Sequence, residues 1–235
     1  VRRWLERGPA GLAGLVLAGL LAACAAPPHK DTRMTSYLAL GDSYTIGEAV
    51  PVEGRWPVQL ATALRADGIA LDDPRIIATT GWTTDELSDA LDAAEPLGEW
   101  GFVSLLIGVN NQYRGRDLDN YREEFDALLQ RAIGYAGGDA DRVMVLSIPD
   151  WGVTPFGRED TRGAATIGAQ IDAFNAAARA LSQARGVRFV DITPVSRARG
   201  AEPAMVAEDG LHPSAAMYAE WARVAEPVAQ SLLRP

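Results

Sequence analysis

The sequence predicts an α/β fold built on a parallel sheet, and three observations carry that expectation. Short apolar runs alternate with segments of helical periodicity from residue 36 onward. The run FVSLLI at 102–107 is apolar almost throughout, as a strand covered on both faces requires. Polar tips containing glycine follow the runs, which is where sites form in open parallel sheets.

Five strands are expected, at 37–40 (YLAL), 75–78 (RIIA), 102–107, 143–148 (VMVLSI) and 188–192 (RFVDI). Helices are expected between them. Residues 56–64 and 83–93 give two short ones. Leu118, Tyr121, Phe125, Leu128, Leu129 and Ile133 recur at three and four, and Gly137-Gly138 closes that pattern. Ile167, Ile171, Phe174, Ala178 and Leu181 repeat it, stopped by Gly186. Met217, Trp221, Val224 and Val228 mark the last helix, with Pro227 expected to kink or end it.

The first 35 residues read differently. Arg2, Arg3 and Arg7 precede an uncharged apolar run at 11–23, too short to span a bilayer comfortably. The run ends in Leu21-Ala22-Ala23-Cys24, which holds the single cysteine and resembles a bacterial lipobox. The resemblance implies a lipoprotein signal peptide over 1–23, lipidation of Cys24, and a membrane-anchored protein exported to the cell envelope. The plainer alternative is a secretory signal that happens to contain a cysteine. Residues 24–35 are small, polar and Pro-containing and read as a tether, which leaves 36–235 as the domain.

Charge narrows the partners. The chain carries −9, and removing residues 1–23 takes away three Arg and one Glu, leaving −11. An acidic balance without Lys/Arg stripes argues against nucleic acid. Asp72-Asp73 and Asp139/Asp141 have no His or Cys beside them and read as solvated turn acids, so neither metal nor cofactor is expected. No oligomeric state follows from the sequence.

The polar tips carry the chemistry. They are Gly41-Asp42-Ser43, then TTGWTTDEL with Gly81, then GVNNQY with Asn110, then PDWGVTPFG, and finally EDGLHPS at 208–214. A serine nucleophile needs a base within hydrogen-bond reach. Only His29 and His212 exist, and His29 falls in the tether. Asp209 could fold back across Gly210 to hold the His212 ring. Each tip alone has a duller reading: Asp42 as a turn brace, Asn110-Asn111 as a strand closure, His212 as a surface or capping residue.

Gly41-Asp42-Ser43, Gly81, Gly108-x-Asn110 and Asp209-x-x-His212 together resemble the four ordered blocks of the SGNH, or GDSL-type, hydrolases. The resemblance runs from about residue 36 to 232. It implies a three-layer α/β/α sandwich around a five-stranded parallel sheet, flavodoxin-like in outline. It also implies a serine-dependent carboxylic ester hydrolase that forms an acyl-enzyme. Ser43 would be the nucleophile, His212 the general base and then acid, and Asp209 its orienter. The oxyanion hole would be the N–H groups of Ser43 and Gly81 and the Asn110 amide. Tyr44, Trp82, Tyr113, Trp151 and Phe156 are expected to line the substrate pocket, for a small-molecule, glycan or lipid ester.

Two positions depart from the family pattern. Tyr44 stands where leucine is usual after the serine, and Asn111 stands where aspartate is usual after the asparagine. Two other functions compete. One is an inactive hydrolase-fold module that binds glycan or an envelope partner. The other is a flavin- or phosphate-binding protein of similar sheet order, disfavoured because GDSYTIGE sets acids on both sides of its turn.

Overall fold

The structure, a computed structural model, describes Val1 and residues 34–234. The expected leader at 1–23, Cys24 and nearly all of the tether lie outside the described residues. At the tether's end, Thr35 already belongs to the domain: its N–H donates to the Ala70 carbonyl at 2.7 Å, and its carbonyl accepts from Asp72 N at 2.9 Å.

The chain runs β1 (Tyr37–Gly41), α1 (Ser43–Ile46), α2 (Trp56–Ala66), β2 (Arg75–Ala78), α3 (Thr84–Ala94), β3 (Phe102–Leu106), α4 (Val109–Tyr113) and α5 (Leu118–Tyr135). It continues through β4 (Val143–Leu146), α6 (Pro155–Glu159), α7 (Ala164–Ala184), β5 (Arg188–Val190), α8 (Thr193–Arg199) and α9 (Ala215–Leu233). The five strands form one parallel sheet in the order β2-β1-β3-β4-β5. Helices α2, α8 and α9 pack together, and α3, α5 and α7 make the second group, giving three layers. This is the expected architecture.

Burial follows strand position. Every residue of β1, β3 and β4 is buried, whereas the edge strands β2 and β5 are only partly covered. The expected ends of β3, β4 and β5 run slightly long. At β4 the reason is visible, because Asn175 takes both backbone groups of Ile148, accepting from its N–H at 2.7 Å and donating to its carbonyl at 2.9 Å. The ladder cannot continue there.

Pro227 neither ends nor breaks the last helix, which runs through it to Leu233. Proline inside a helix costs about 3 kcal/mol. Burial of Met217, Tyr218, Trp221, Ala222, Ala225 and Ala229 against α2 and the sheet offsets that cost.

The chain steps from β1 out to β2 and then back across β1 to β3, so the connection reverses between β1 and β3. The crevice beyond the carboxyl ends of those two strands is the switch point where such sheets hold their sites.

Candidate active site

Beyond the end of β1 the backbone turns at once into the single-turn helix α1. Gly41 permits this, because a Cβ there would lie 2.3 Å from Thr45 Oγ1 and 2.4 Å from the Leu106 carbonyl oxygen. Asp42 caps the turn, its Oδ1 accepting the Tyr44 N–H at 3.0 Å. Ser43 is therefore the first helical residue. Its own N–H has no partner within the helix and is free to point at a ligand.

Asp42 is fully buried, and its Oδ2 has no hydrogen-bond partner. Burial raises its carboxyl to about 7, against the opposing pull of nearby backbone N–H groups of Tyr44, Asp42 and Gly108. Its bond to the Tyr44 N–H braces the turn.

The loop after β2 is pinned residue by residue. Thr80 donates its hydroxyl to Glu48. The Gly81 carbonyl accepts from Arg114 Nη2 at 2.6 Å, and the Trp82 carbonyl accepts from Asn110 Nδ2 at 2.9 Å. Gly81 has φ +89°, a conformation that strains any residue with a Cβ. Its N–H is not engaged in the backbone bonding of the loop.

Asn110 sits in the first turn of α4, beyond β3. One amide hydrogen holds Trp82, and the side chain borders the same cavity as Ser43 and Gly81. Its neighbour Asn111 is fully buried and faces away, tied to Thr84.

Asp209 and His212 come from the loop before α9. His212 Nδ1 lies 2.6 Å from Asp209 Oδ2. Asp209 Oδ1 accepts the backbone N–H of Leu211 and of His212, each at 2.9 Å, so one carboxylate shapes the turn and holds the ring. Partial burial raises the Asp209 carboxyl, but bonds from the His212 ring and from those two N–H groups outweigh it and hold it below its ordinary value. The loop is fastened by Ala207 N–H to the His212 carbonyl at 2.7 Å, and Ser214 caps α9. The His212 side chain keeps 11% exposure.

Ser43, Thr80, Gly81, Asn110 and His212 border one cavity of about 170 Å³, with Asp42 and Asp209 behind its wall. Ser43, 4% exposed, lies in its wall with Gly81, Asn110 and His212. No direct hydrogen bond joins Ser43 Oγ to the His212 ring. Tyr44, Tyr113, Trp151 and Phe156 border the cavity as expected. Trp82 does not: its side chain packs against the core, and its contribution is the carbonyl that holds Asn110.

Sequence reasoning missed Thr80, Val109 and Leu211, which also line the cavity. It missed the supports of the aromatic wall as well. Trp151 Nε1 donates to Gln112 Oε1 at 2.8 Å, and the Arg162 guanidinium lies 4.9 Å from the Trp151 ring and 5.1 Å from that of Tyr113. No local pattern marks these residues, since they meet only in the fold.

Of the acids expected in turns, Asp139 holds one and Asp73 forms an ion pair. Asp139 Oδ1 caps its turn by accepting Asp141 N–H at 3.0 Å, and Asp73 pairs with Arg65 at 3.0 Å.

A serine at a helix start and an acid-held imidazole border one cavity together with Gly81 and Asn110, an arrangement suited to acyl transfer. The sequence matches the GDSL-like lipase/acylhydrolase family over residues 39–220. The chain belongs to that family.

Its members hydrolyse ester bonds. Solved structures share the fold. TesA superposes with a TM-score of 0.65 at 19% identity, covering 85% of this chain and 100% of its own. A lipase/acylhydrolase from Enterococcus faecalis gives 0.65 at 18% identity, covering 86% of this chain and 98% of its own. The lipase Lip_vut3 from a goat rumen metagenome gives 0.67 at 18%, covering 83% and 97% respectively. No curated protein matches the sequence.

Proposed function

We propose that this chain is a serine esterase acting on short-chain carboxylic esters, with Ser43, His212 and Asp209 as its triad. The observation that carries the reading is the 2.6 Å contact between Asp209 Oδ2 and His212 Nδ1 at the cavity that Ser43 borders. Asp209 fixes the tautomer that leaves Nε2 unprotonated and able to accept the serine proton. Ser43 Oγ then attacks the ester carbonyl carbon. The carbonyl π pair moves onto oxygen, and the Ser43 proton passes to His212.

The N–H groups of Ser43 and Gly81 and the free amide hydrogen of Asn110 receive the oxyanion. Collapse expels the alcohol, protonated by His212, and leaves the acyl group on Ser43. Water repeats the sequence in reverse, with His212 again as base, and releases the acid. Three fixed donors need no reorganisation as charge develops, and losing one such donor typically costs ~3 kcal/mol of transition-state stabilisation.

A cavity of about 170 Å³ supports a short acyl group, since pockets for drug-sized ligands measure roughly 300–1,000 Å³. A panel of aryl esters from acetyl to dodecanoyl, comparing the native chain with Ser43→Ala, tests this. Activity falling with chain length and absent from Ser43→Ala is expected. Full activity in Ser43→Ala would remove the assignment.

We also propose that the protein is held in the cell envelope by lipid on Cys24. Arg2, Arg3, Arg7 and the Leu21-Ala22-Ala23-Cys24 ending support this. Among the described residues no helix is long and apolar enough to cross a membrane. Incorporation of labelled palmitate into the native chain, and its loss in Cys24→Ala, is the expected result.

A further inference from the structure

The cavity that Ser43 and His212 border has a neighbour. A second, water-sized cavity of about 20 Å³ lies beside it, walled in part by Met205, Val206, Met217 and Trp221. Tyr44, Trp151 and Leu211 border both cavities and so form the partition between them. The Tyr44 ring sits between a residue of each side. The His212 ring, which borders the first cavity, meets it edge-on at 5.8 Å, and the Trp221 ring, which borders the second, meets it edge-on at 5.9 Å.

The other two parts of the partition are fastened elsewhere. Trp151 is held by Gln112 and Arg162. Leu211 donates its N–H to Asp209 and so belongs to the turn that presents His212. Tyr44 is the one part whose ring can be shortened without loosening these holds.

We infer that Tyr44 limits the acyl length this site accepts, and that the cavity behind its ring is a latent subsite for longer unbranched acyl chains. The inference rests on the reading of Ser43 as nucleophile. Tyr44 follows Ser43 in α1, and both residues border the cavity in which the acyl group would be held. An interior cavity suits the part of the ester that stays bound through both halves of the reaction. A leaving alcohol must instead exit to solvent.

The test is the ratio of kcat/KM for octanoyl to acetyl esters of one phenol, in the native chain, Tyr44→Ala and Tyr44→Leu. Each methylene newly buried is worth about fourfold. The ratio should rise at least about tenfold in Tyr44→Ala and by less in Tyr44→Leu, whatever the overall loss from removing support of His212. Tyr44→Leu carries the test alone if Tyr44→Ala does not fold.

Val206→Phe, placed in either background, fills the second cavity and should return the ratio toward the native value. An unchanged ratio, a rise that Val206→Phe leaves intact, or a shift seen with longer alcohols at constant acetyl would each overturn the inference. Turnover by Ser43→Ala would instead defeat the underlying reading. The same ester panel therefore separates the two failures.

Discussion

Asn111 and Thr84 are joined by two hydrogen bonds: Asn111 Oδ1 accepts the Thr84 N–H at 3.1 Å, and Asn111 Nδ2 donates to Thr84 Oγ1 at 2.6 Å. The Thr84 hydroxyl spends its proton on Glu124. Its oxygen is thus left as an acceptor that needs a donor, which an amide supplies and a carboxylate does not. This accounts for asparagine where the family usually has aspartate.

Asn111→Asp should therefore set acceptor against acceptor in a buried site. We expect a loss of about 1–3 kcal/mol in urea unfolding. Glu124→Gln in that background should recover part of it, because the new amide can donate to Thr84 and free its hydroxyl for Asp at 111. Additive losses in the double variant would contradict the coupling.

Arg114 holds the Gly81 carbonyl, on the peptide next to the one that carries the proposed oxyanion donor. Arg114→Ala should lower kcat by roughly tenfold, short of the ~10²–10³ expected from losing a donor outright, while KM changes little. Arg114→Lys should restore part of kcat, since a single ammonium donor can still reach one carbonyl. A KM effect alone would point to substrate contact instead.

Asp209→Asn would remove the acceptor that fixes the His212 tautomer. In the proposed mechanism kcat drops by about 10²–10⁴ while binding of the ester is largely kept. Steady-state kinetics with a short aryl ester checks this, and a loss under tenfold would contradict it.

Asp42 has a pH signature of its own. Its folded-state pKa is raised to about 7 from 3.8 by burial. The folded chain then binds a proton more tightly than the unfolded chain does. Stability from this group is fully present below about pH 4 and is lost as pH rises through 7. Three pKa units correspond to about 4 kcal/mol. Denaturant unfolding from pH 4 to 8 should show the native chain losing stability relative to Asp42→Asn, whereas parallel curves would contradict the burial argument.

Much of this was legible before any coordinates. The apolar runs located β1, β3 and β4, because strands covered on both faces need nearly unbroken apolar sequence, and the alternation with helical segments placed the edge strands β2 and β5. The segments after the strands pointed to Ser43, Gly81 and Asn110, because parallel sheets gather those segments at one edge, and the loop before the last helix supplied the Asp209–His212 pair. Pro227 misled, since local propensity carries no information about how firmly Trp221 and its neighbours are packed. Trp82 misled because proximity in sequence to Gly81 does not say which way a side chain points. The Arg114, Gln112 and Arg162 supports were invisible, each acting on a residue brought near only by the fold.

Mass-spectrometric mapping of the adduct formed with a fluorophosphonate tests the central claim most directly. Such reagents phosphonylate a serine only where a neighbouring base and oxyanion donors activate it. The account predicts one adduct, on Ser43, abolished in His212→Ala although Ser43 is still present. An unlabelled native chain, or an adduct on any other residue, would contradict it.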